Sequence, residues 1–553
     1  MSHIKRHPDL FFSILFLIVL ALFATLFINF NNPPYEDAAM LMRYADHLAH
    51  GYGIVWNVGE HPVDGATDFL FMVSVAALMK VGMPLGRAVR GLGMFSVAAL
   101  ALLVYWVNRR LWKSGIAFAI LSALYLAVGT GLTYVAAYFG TPFFALFAAL
   151  TWTLALVLIL KTNPPFWLSL LFALCALLTG LVRPEGVILT ALMLISIIVM
   201  KGWRASVGTI MIFVAVFLIL GGTYFVWRWN YFGYPLPNPF YKKGGGILHW
   251  DSLQASFANV VSLCGIFLLA YLMGFRSRTT ARQTIAFLVP IIGFASAFVL
   301  ISNETNFGGR FQYAVVPLVL LSWFPLVRGF DREIGLEPVF SSPQMRRISG
   351  EMEGGQVEKR NKWFLVAALA ILAVLILYSS YTQGISIDYS RDGRYDMAQA
   401  LQPYAGRGYI MATSEAGLLP LYSQWKAIDT WGLNDEWIAH HGGITSDYLD
   451  RYKPELIVFH AHFSPLAPPA SPEHYPDPAW FAMTLTLKDY AESHHYVLAA
   501  VYGVTPYDTH YYYVRPDFAD SQTIVKLVSK FRGYAWAADG GTKAVNFTGI
   551  PNP

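Results

Sequence analysis

The sequence predicts a polytopic α-helical membrane protein, with about 11 transmembrane helices, followed by an extracytoplasmic α/β domain. Hydrophobic residues make up 56% of the 553-residue chain and charged residues only 13%, whereas soluble globular proteins carry about 25% charged residues. Apolar stretches of bilayer-spanning length recur up to residue 380, and residues 381–553 are more polar. An ordinary soluble enzyme is therefore excluded, and the small net charge of +5 indicates no nucleic-acid partner.

Repeated apolar runs predict a transmembrane domain over residues 1–380. The first run follows Lys5 and Arg6, is too long for the apolar core of a typical signal peptide and lacks a small-residue cleavage site, so we expect it to be retained. The predicted spans are 10–30, 88–107, 114–132, 143–160, 165–181, 187–200, 206–226, 259–275, 284–301, 314–327 and 363–380.

One further apolar stretch, 69–81, is short and contains Lys80. Cytoplasmic loops of membrane proteins are enriched in Lys and Arg. If 69–81 does not span, the loops on the side of the N-terminus hold most of the basic residues, and if it does span, this bias is reversed. The distribution therefore predicts an interfacial or re-entrant helix in a first outer loop, 31–87, and a cytoplasmic N-terminus.

The same topology predicts a basic cytoplasmic linker at 328–362 and places residues 381–553 outside the cytoplasm. In this last region short β-like runs alternate with helical ones, which is typical of a small α/β domain. The predicted strands are Tyr409–Ala412, Glu455–Phe459, Tyr496–Tyr502 and Tyr511–Arg515, and the predicted helices are Tyr395–Leu401 and Ser521–Phe531.

Two adjacent carboxylates, Glu36 and Asp37, follow the first span by a few residues and stand after Pro33 and Pro34 at a predicted helix start. Acidic residues are favoured there by the helix dipole alone, so simple charge placement is one interpretation. The other interpretation is chemical, because a carboxylate at a membrane surface can take a proton from a hydroxyl group that attacks an electrophilic carbon. The residues themselves leave both interpretations open.

Basic and polar residues recur near helix ends in the other outer loops. Such residues can bind a phosphate leaving group at the depth of the lipid headgroups. They can also anchor helices to those headgroups. The residues in question are Arg183, Glu185, Arg228, Asn238, Lys242 and Arg310.

Cysteine and histidine residues do not predict a metal centre. The two cysteines, Cys175 and Cys264, both fall inside apolar runs. Four histidines in the C-terminal region lack the spacing of a helical metal-binding pair, which favours ordinary surface histidines. These are His440, His441, His460 and His462.

Several short motifs follow one another in order along the chain. They are Glu36-Asp37 with Arg43-Tyr44-Ala45, Gly51-Tyr52-Gly53-Ile54-Val55-Trp56-Asn57, Val63-Asp64-Gly65-Ala66-Thr67, Arg183-Pro184-Glu185-Gly186, and Tyr231-Phe232-Gly233-Tyr234-Pro235-Leu236-Pro237-Asn238 with Tyr241-Lys242. This order resembles the GT-C-type, polyprenyl-phosphate-dependent membrane glycosyltransferases, in particular the family of the mycobacterial terminal arabinofuranosyltransferase and its uncharacterised bacterial relatives. Residues 414–420 and 428–435 are similar to the start of that family's periplasmic domain.

The resemblance implies an inverting glycosyltransferase of the bacterial inner (plasma) membrane. It would move a sugar from a polyprenyl-phosphate carrier to an acceptor hydroxyl on the extracytoplasmic face during cell-envelope glycan synthesis. Asp37, with Glu36 beside it, would be catalytic. The donor phosphate and sugar would meet Arg183, Glu185, Arg228, Asn238, Lys242 and Arg310. The acceptor or the first outer loop would be supported by Arg43, Asn57 and Asp64.

The implied partners are the lipid-linked donor, a glycan, lipid or protein acceptor, and the bilayer. We expect no obligatory cofactor or metal, although members of the wider fold hold a divalent cation near the first-loop carboxylates, and Glu36, Asp37, Asp64 and His61 leave that alternative open. The competing function is a transporter or flippase for lipid-linked sugars. Transporters tend to show internal repeats and charges within their spans, and the sequence shows neither.

Overall fold

The computed structural model describes residues 8–244, 246–276, 280–302, 306–333, 393–462, 477–505 and 508–530. Helices form most of the described chain up to residue 333. They are α1 Pro8–Phe27, α2 Glu36–Ala49, α3 Phe69–Lys80, α4 Leu85–Arg110, α5 Ile116–Ala127, α6 Thr130–Ala136, α7 Thr141–Leu160, α8 Phe166–Val182, α9 Glu185–Lys201, α10 Trp203–Val216, α11 Gly222–Phe232, α12 Asn238–Gly244, α13 Trp250–Cys264, α14 Leu269–Arg276, α15 Ala281–Ala297 and α16 Val315–Glu333.

Among the described residues, 6 helices are long and apolar enough to cross a membrane, or 7 if the bent pair α13 and α14 counts as one span. Every predicted span up to residue 327 coincides with a helix or with this bent pair. The predicted span 259–275 corresponds to the bent pair, in which α13 and α14 meet at 91°. Gly265 lies at the bend with a φ of 51°, a conformation that glycine tolerates and that interrupts a right-handed helix.

Two predicted features lie largely beyond the described chain. The last predicted span, 363–380, falls outside the described residues, as does most of the predicted linker 328–362. Residues 328–333 continue α16 instead of beginning a linker.

Helix α3 contains 12 residues and is therefore about 18 Å long, well short of the ~30 Å hydrocarbon core of a bilayer. It buries Phe71, Met72, Val75 and Ala76 against its neighbours. This length fits the predicted non-spanning helix of the first outer loop.

The membrane helices pack through small side chains and polar pairs. The hydroxyl oxygens of Thr151 and Thr179 lie 3.0 Å apart, and Trp152 donates to the Ser322 hydroxyl oxygen at 2.8 Å. Such pairs suit helix interfaces in lipid, where water cannot satisfy polar groups. The long segment Trp203–Phe232 is only 17% buried over its most apolar window, which is the exposure expected of a helix that faces lipid.

The C-terminal region forms a five-stranded sheet of order β2-β1-β3-β5-β4. Its strands are β1 Ile410–Thr413, β2 Lys426–Asp429, β3 Leu456–Ala461, β4 Val497–Thr505 and β5 Asp508–Val514. Strand β1 pairs in parallel with β2 and β3, and β5 runs antiparallel to β3 and β4. The predicted α/β domain is confirmed, although the sequence analysis did not find β2.

Helices cover this sheet. They are α17 Arg394–Leu401, α18 Leu418–Ser423, α19 Glu436–His440, α20 Ser446–Tyr452, α21 Pro478–Ser493 and α22 Ser521–Ser529. The loop 31–87 reaches the sheet through the Trp56 indole, which donates to the Ala427 carbonyl oxygen at 2.8 Å. A Cβ atom on Gly65 would lie 2.2 Å from the Asn434 Oδ1 atom, so glycine is needed for this close approach.

Candidate active site

A cavity of about 360 Å³ lies between the membrane helices and the C-terminal domain. Its wall comes from the start of α2, the segment before α3, the α8–α9 turn, helix α12, residues 297–302 and residues 310–311, with Leu433 and Asn434 closing one side. Most of the wall is apolar. The charged residues that line it are Asp37, Asp68, Arg183, Glu185, Lys243 and Arg310. A largely apolar cavity with a few convergent charged groups is typical of a ligand site.

Asp37 faces this cavity from the first turn of α2. Its carboxylate lies 2.5 Å from a terminal nitrogen of Arg310, and its side chain is 23% exposed. Arg310 is buried and follows Gly308 and Gly309, whose positive φ values of 57° and 72° turn the chain sharply. Phe139 and Phe311 flank the Arg310 guanidinium, with ring centroids 4.2 and 4.9 Å away. The glycine turn and the two phenyl rings therefore hold the Arg310 guanidinium beside the Asp37 carboxylate.

Arg183 supplies a second cation, at the end of α8. One of its terminal nitrogens lies 3.1 Å from Asp68, and another lies 2.7 Å from Glu185. Its guanidinium carbon is 5.0 Å from the Phe311 ring centroid, the same ring that Arg310 contacts. Both guanidinium groups therefore pack against the same ring. Burial raises the pKa of Asp68, and the positive charge of Arg183 opposes that rise.

Glu36 is adjacent to Asp37 in sequence but faces the C-terminal domain. One carboxylate oxygen accepts hydrogen bonds from the backbone N–H groups of Gly417 and Leu418, and the other lies 3.2 Å from Arg394. Consecutive residues of a helix point in different directions, about 100° apart. The structure thus separates the predicted catalytic pair, with Asp37 at the cavity and Glu36 at the contact between domains.

Arg43 and Asn57, both predicted to support the acceptor or the first loop, join that loop to the C-terminal domain. The buried Arg43 guanidinium donates to the carbonyl oxygens of Trp56, Pro420 and Trp425. Asn57 accepts a hydrogen bond from the Ala427 N–H and donates to the Ala427 carbonyl. Burial lowers the pKa of Arg43 to about 10. Neither side chain lines the cavity.

Replacing Arg43 by Ala is expected to lower the free energy of unfolding by at least about 3 kcal/mol, because it removes three hydrogen bonds donated by a charged group, and such bonds contribute about 1.5–3 kcal/mol each. Thermal unfolding of the full chain in detergent measures the effect. The exposed Arg87, replaced by Ala, is the matched control. Equal unfolding midpoints for the two variants would show that Arg43 does not hold the domains together.

Three more of the predicted binding residues form a second set of contacts outside the cavity. Arg228 pairs with Asp64 at 2.5 Å, and the Asn238 N–H donates to the Asp64 carbonyl at 2.9 Å. The Asn238 side-chain amide donates to the carbonyl oxygens of Gly432, Leu433 and Asp435. Burial raises the pKa of Asp64, and Arg228 opposes that rise. These residues position the cavity wall without lining it.

Lys242 was the lysine predicted to meet the donor, yet its ammonium lies over the Trp431 ring, 4.1 Å from the ring centroid. Burial lowers the pKa of Lys242. The next residue, Lys243, lines the cavity instead.

Asp68 and Lys243 line the cavity but were not among the predicted site residues. Asp68 directly precedes the apolar stretch that becomes α3, a position typical of a helix cap, and Lys243 directly follows the lysine that was chosen. From the sequence alone, each residue could serve only its own helix or loop, so neither was predicted to line a site. The four first-loop residues considered as ligands of a divalent cation do not come together. Glu36, Asp37 and Asp64 contact different partners. His61 lies 3.9 Å from Glu436.

Comparison with known proteins and solved structures identifies the fold of this chain. A family described as a domain of unknown function (DUF8728) matches residues 383–515, and no curated protein matches the chain. The crystal structure of ArnT from Cupriavidus metallidurans bound to undecaprenyl phosphate matches with 12% identity and a TM-score of 0.50, covering 91% of this chain and 98% of that one. This chain has the ArnT-like GT-C fold. The apo structure of the same ArnT gives 13% identity, a TM-score of 0.52 and the same coverage. The predicted GT-C-like fold is confirmed, and the resemblance to arabinofuranosyltransferases stays a prediction.

Proposed function

We propose that this chain is a GT-C glycosyltransferase that moves a sugar from a polyprenyl-phosphate carrier to an acceptor hydroxyl, with inversion at the anomeric carbon. The proposal is carried by one observation: Asp37 and the two arginines Arg183 and Arg310 line the same largely apolar cavity. It is supported by the shared fold with ArnT, whose crystal structure was obtained with undecaprenyl phosphate bound.

Four of the six charged residues that line the cavity have a role in this reaction. The acceptor oxygen attacks the anomeric carbon and loses its proton to the Asp37 carboxylate, which acts as general base. The bond between the anomeric carbon and the phosphate oxygen breaks, and its electron pair leaves with the lipid phosphate. Arg183 and Arg310 stabilise the charge that develops there, through charge-assisted hydrogen bonds from a fixed position. Glu185 orients Arg183, which it contacts at 2.7 Å.

The composition of the cavity favours a lipid-borne donor over a nucleotide sugar. Apolar side chains from several segments line it, among them Ile188, Leu236, Phe298, Leu300 and Ile301. These side chains suit a hydrocarbon chain, whereas the arginines suit one phosphate group. Nucleotide sugars are made in the cytosol and are too polar to cross a bilayer unaided, so a site on the outer face requires a lipid carrier.

We place the site, the first outer loop and the C-terminal domain on the extracytoplasmic face of the inner membrane. Reporter fusions after residues 84 and 112 test this, because they flank the single helix α4, Leu85–Arg110. The expected result is an extracytoplasmic signal for the first fusion and a cytoplasmic signal for the second. Signals from the same side would contradict the topology.

The sugar within this class is proposed from the motif order given above, which favours an arabinofuranosyl donor. Purified chain in vesicles, supplied separately with polyprenyl-phosphate-linked arabinofuranose, glucose and mannose, tests this choice. The expected result is transfer from the first donor only. Transfer only from another sugar would leave the reaction class intact and overturn the arabinofuranosyl assignment.

The reaction class is tested in the same vesicles with a radiolabelled lipid-linked sugar and an extract of cell-envelope acceptors. Covalent labelling of the acceptor is the expected result. Movement of the labelled lipid across the bilayer without acceptor labelling would identify a flippase instead. In cells, loss of the protein is expected to let the lipid-linked donor accumulate, which mass spectrometry of extracted lipids measures.

A further inference from the structure

A group of three potential metal ligands lies in the C-terminal domain, outside the cavity. Glu415 follows β1, His460 lies on β3, and His510 lies directly opposite His460 on β5. The ligand atoms of the three residues lie within 4.8 Å of one another, and no other group of this kind was found among the described residues. The four histidines named in the sequence analysis include His460 but not Glu415 or His510. Those two residues lie far from His460 in the sequence and come close to it only in the folded sheet.

The distances within the group match a metal site better than a set of hydrogen bonds. One Glu415 oxygen lies 3.4 Å from the His460 Nδ1 atom and 3.7 Å from the His510 Nε2 atom. Hydrogen bonds between N–H and O are shorter, at about 2.7–3.2 Å. Two ligands of a tetrahedral zinc ion, each bonded at about 2.0–2.2 Å, are about 3.3–3.6 Å apart. The two Glu415–histidine separations are close to that range, and the ligand nitrogens of the two histidines lie within 4.8 Å of each other.

The surrounding residues fix the backbone at two of these ligands. The Glu415 backbone N–H donates to the Thr413 hydroxyl oxygen at 2.9 Å, and the His460 backbone N–H donates to the Ser414 hydroxyl oxygen at 2.9 Å. Arg394 binds the other Glu415 oxygen, which leaves the oxygen that faces the histidines as a single-atom ligand. Outer-shell contacts of this type orient ligands in metal sites.

The charge of the group also suits a cation. Arg394 is shared by two carboxylates, Glu415 and Glu36, so these three charged groups sum to one negative charge when the histidines are neutral. Glu415 and His510 are buried, whereas the His460 side chain is 25% exposed. An ion could therefore enter from the His460 side and keep one position for water.

We propose that Glu415, His460 and His510 bind one divalent transition-metal ion of the zinc type. Two imidazole nitrogens and one carboxylate oxygen suit such an ion, whereas Mg²⁺ and Ca²⁺ prefer oxygen ligands only. The ion ties together β1, β3 and β5 at the edge where Glu36 binds Gly417. Its effect is to stiffen the contact between the C-terminal domain and the helix that carries Asp37. The site is independent of the proposed sugar transfer, and its occupancy can be measured without any substrate.

The test is metal content of the full chain in detergent after incubation with Zn²⁺ and dialysis, read by elemental mass spectrometry. We expect about one zinc ion per chain in the native protein, loss of that ion in His460→Ala and His510→Ala, and retention in His460→Cys, since a thiolate also binds zinc. His494→Ala is the matched control, because His494 faces a single carboxylate, Asp450, at 3.3 Å.

A second measurement is independent of whether the variants fold. Co²⁺ added to the native protein is expected to give the visible absorption of a four-coordinate site, and Zn²⁺ is expected to abolish it. Chelation of the zinc-loaded protein is expected to lower the midpoint of thermal unfolding. Absence of retained zinc in the native protein, or retention by His460→Ala and His510→Ala equal to that of His494→Ala, would overturn the proposal.

Discussion

Replacing Asp37 by Asn is expected to lower the turnover number of sugar transfer by about 10²–10⁴-fold, the usual contribution of a general base. The amide has nearly the shape of the carboxylate and keeps an oxygen that can accept from Arg310, so the cavity should stay intact. It cannot take the proton of the acceptor hydroxyl. Donor binding, measured separately with a polyprenyl phosphate, should change far less than turnover.

Asp46→Asn is the matched control for this variant. Asp46 lies on the same helix, α2, in contact with His50 and away from the cavity. The two variants should accumulate to similar levels and unfold at similar temperatures, yet only Asp37→Asn should lose transfer. Equal turnover in both variants would exclude Asp37 as the base.

Replacing Arg310 by Gln is expected to reduce turnover by about 10²–10³-fold, the typical effect of removing one preorganised donor to a developing charge. The buried guanidinium contacts Asp37 and packs between two phenyl rings, so glutamine can replace neither its charge nor its forked geometry. Affinity for the lipid phosphate should fall as well. Transfer kinetics and equilibrium binding of polyprenyl phosphate, measured on the same preparations, separate the two effects.

Arg110→Gln is the control for the loss of one arginine, since Arg110 is exposed at the far end of α4. Arg183→Gln should resemble Arg310→Gln if both cations grip the same phosphate. If Arg310→Gln keeps the binding and turnover of Arg110→Gln, the phosphate would have to be bound elsewhere.

The membrane helices and the main charged residues of the cavity could be predicted because each is marked by its own short stretch of sequence. Hydropathy alone located α4 and α7, since nearly every side chain there must be apolar in lipid. Asp37, Arg183 and Arg310 were found because they are charged residues near predicted helix ends in the outer loops, and the resemblance to membrane glycosyltransferases assigned them to the site. The bend at Gly265 was missed because a glycine in an apolar run carries no signal of its own conformation.

The contact between domains could not be read from the sequence. Arg43 binds the carbonyl oxygens of Pro420 and Trp425, and Asn238 binds three carbonyl oxygens near residue 433. Every residue has a backbone carbonyl oxygen, so the sequence does not show which of them a side chain will bind. Arg43 and Asn238 were therefore placed among the predicted site residues. The orientation of Glu36 away from Asp37 likewise depends on Gly417, which lies far along the chain. Strand β2 begins and ends with a charged residue, Lys426 and Asp429, whereas β1, of the same length, contains none, so β2 lacks the apolar run that marks a strand.

The central claim is that Arg183 and Arg310 hold a lipid phosphate next to Asp37. A structure of the full chain in lipid nanodiscs with polyprenyl phosphate added is the most direct measurement. The account predicts the phosphate within about 3 Å of both guanidinium groups, with the start of the hydrocarbon chain against Ile188 and Leu236. A bound phosphate that touches neither arginine would contradict it.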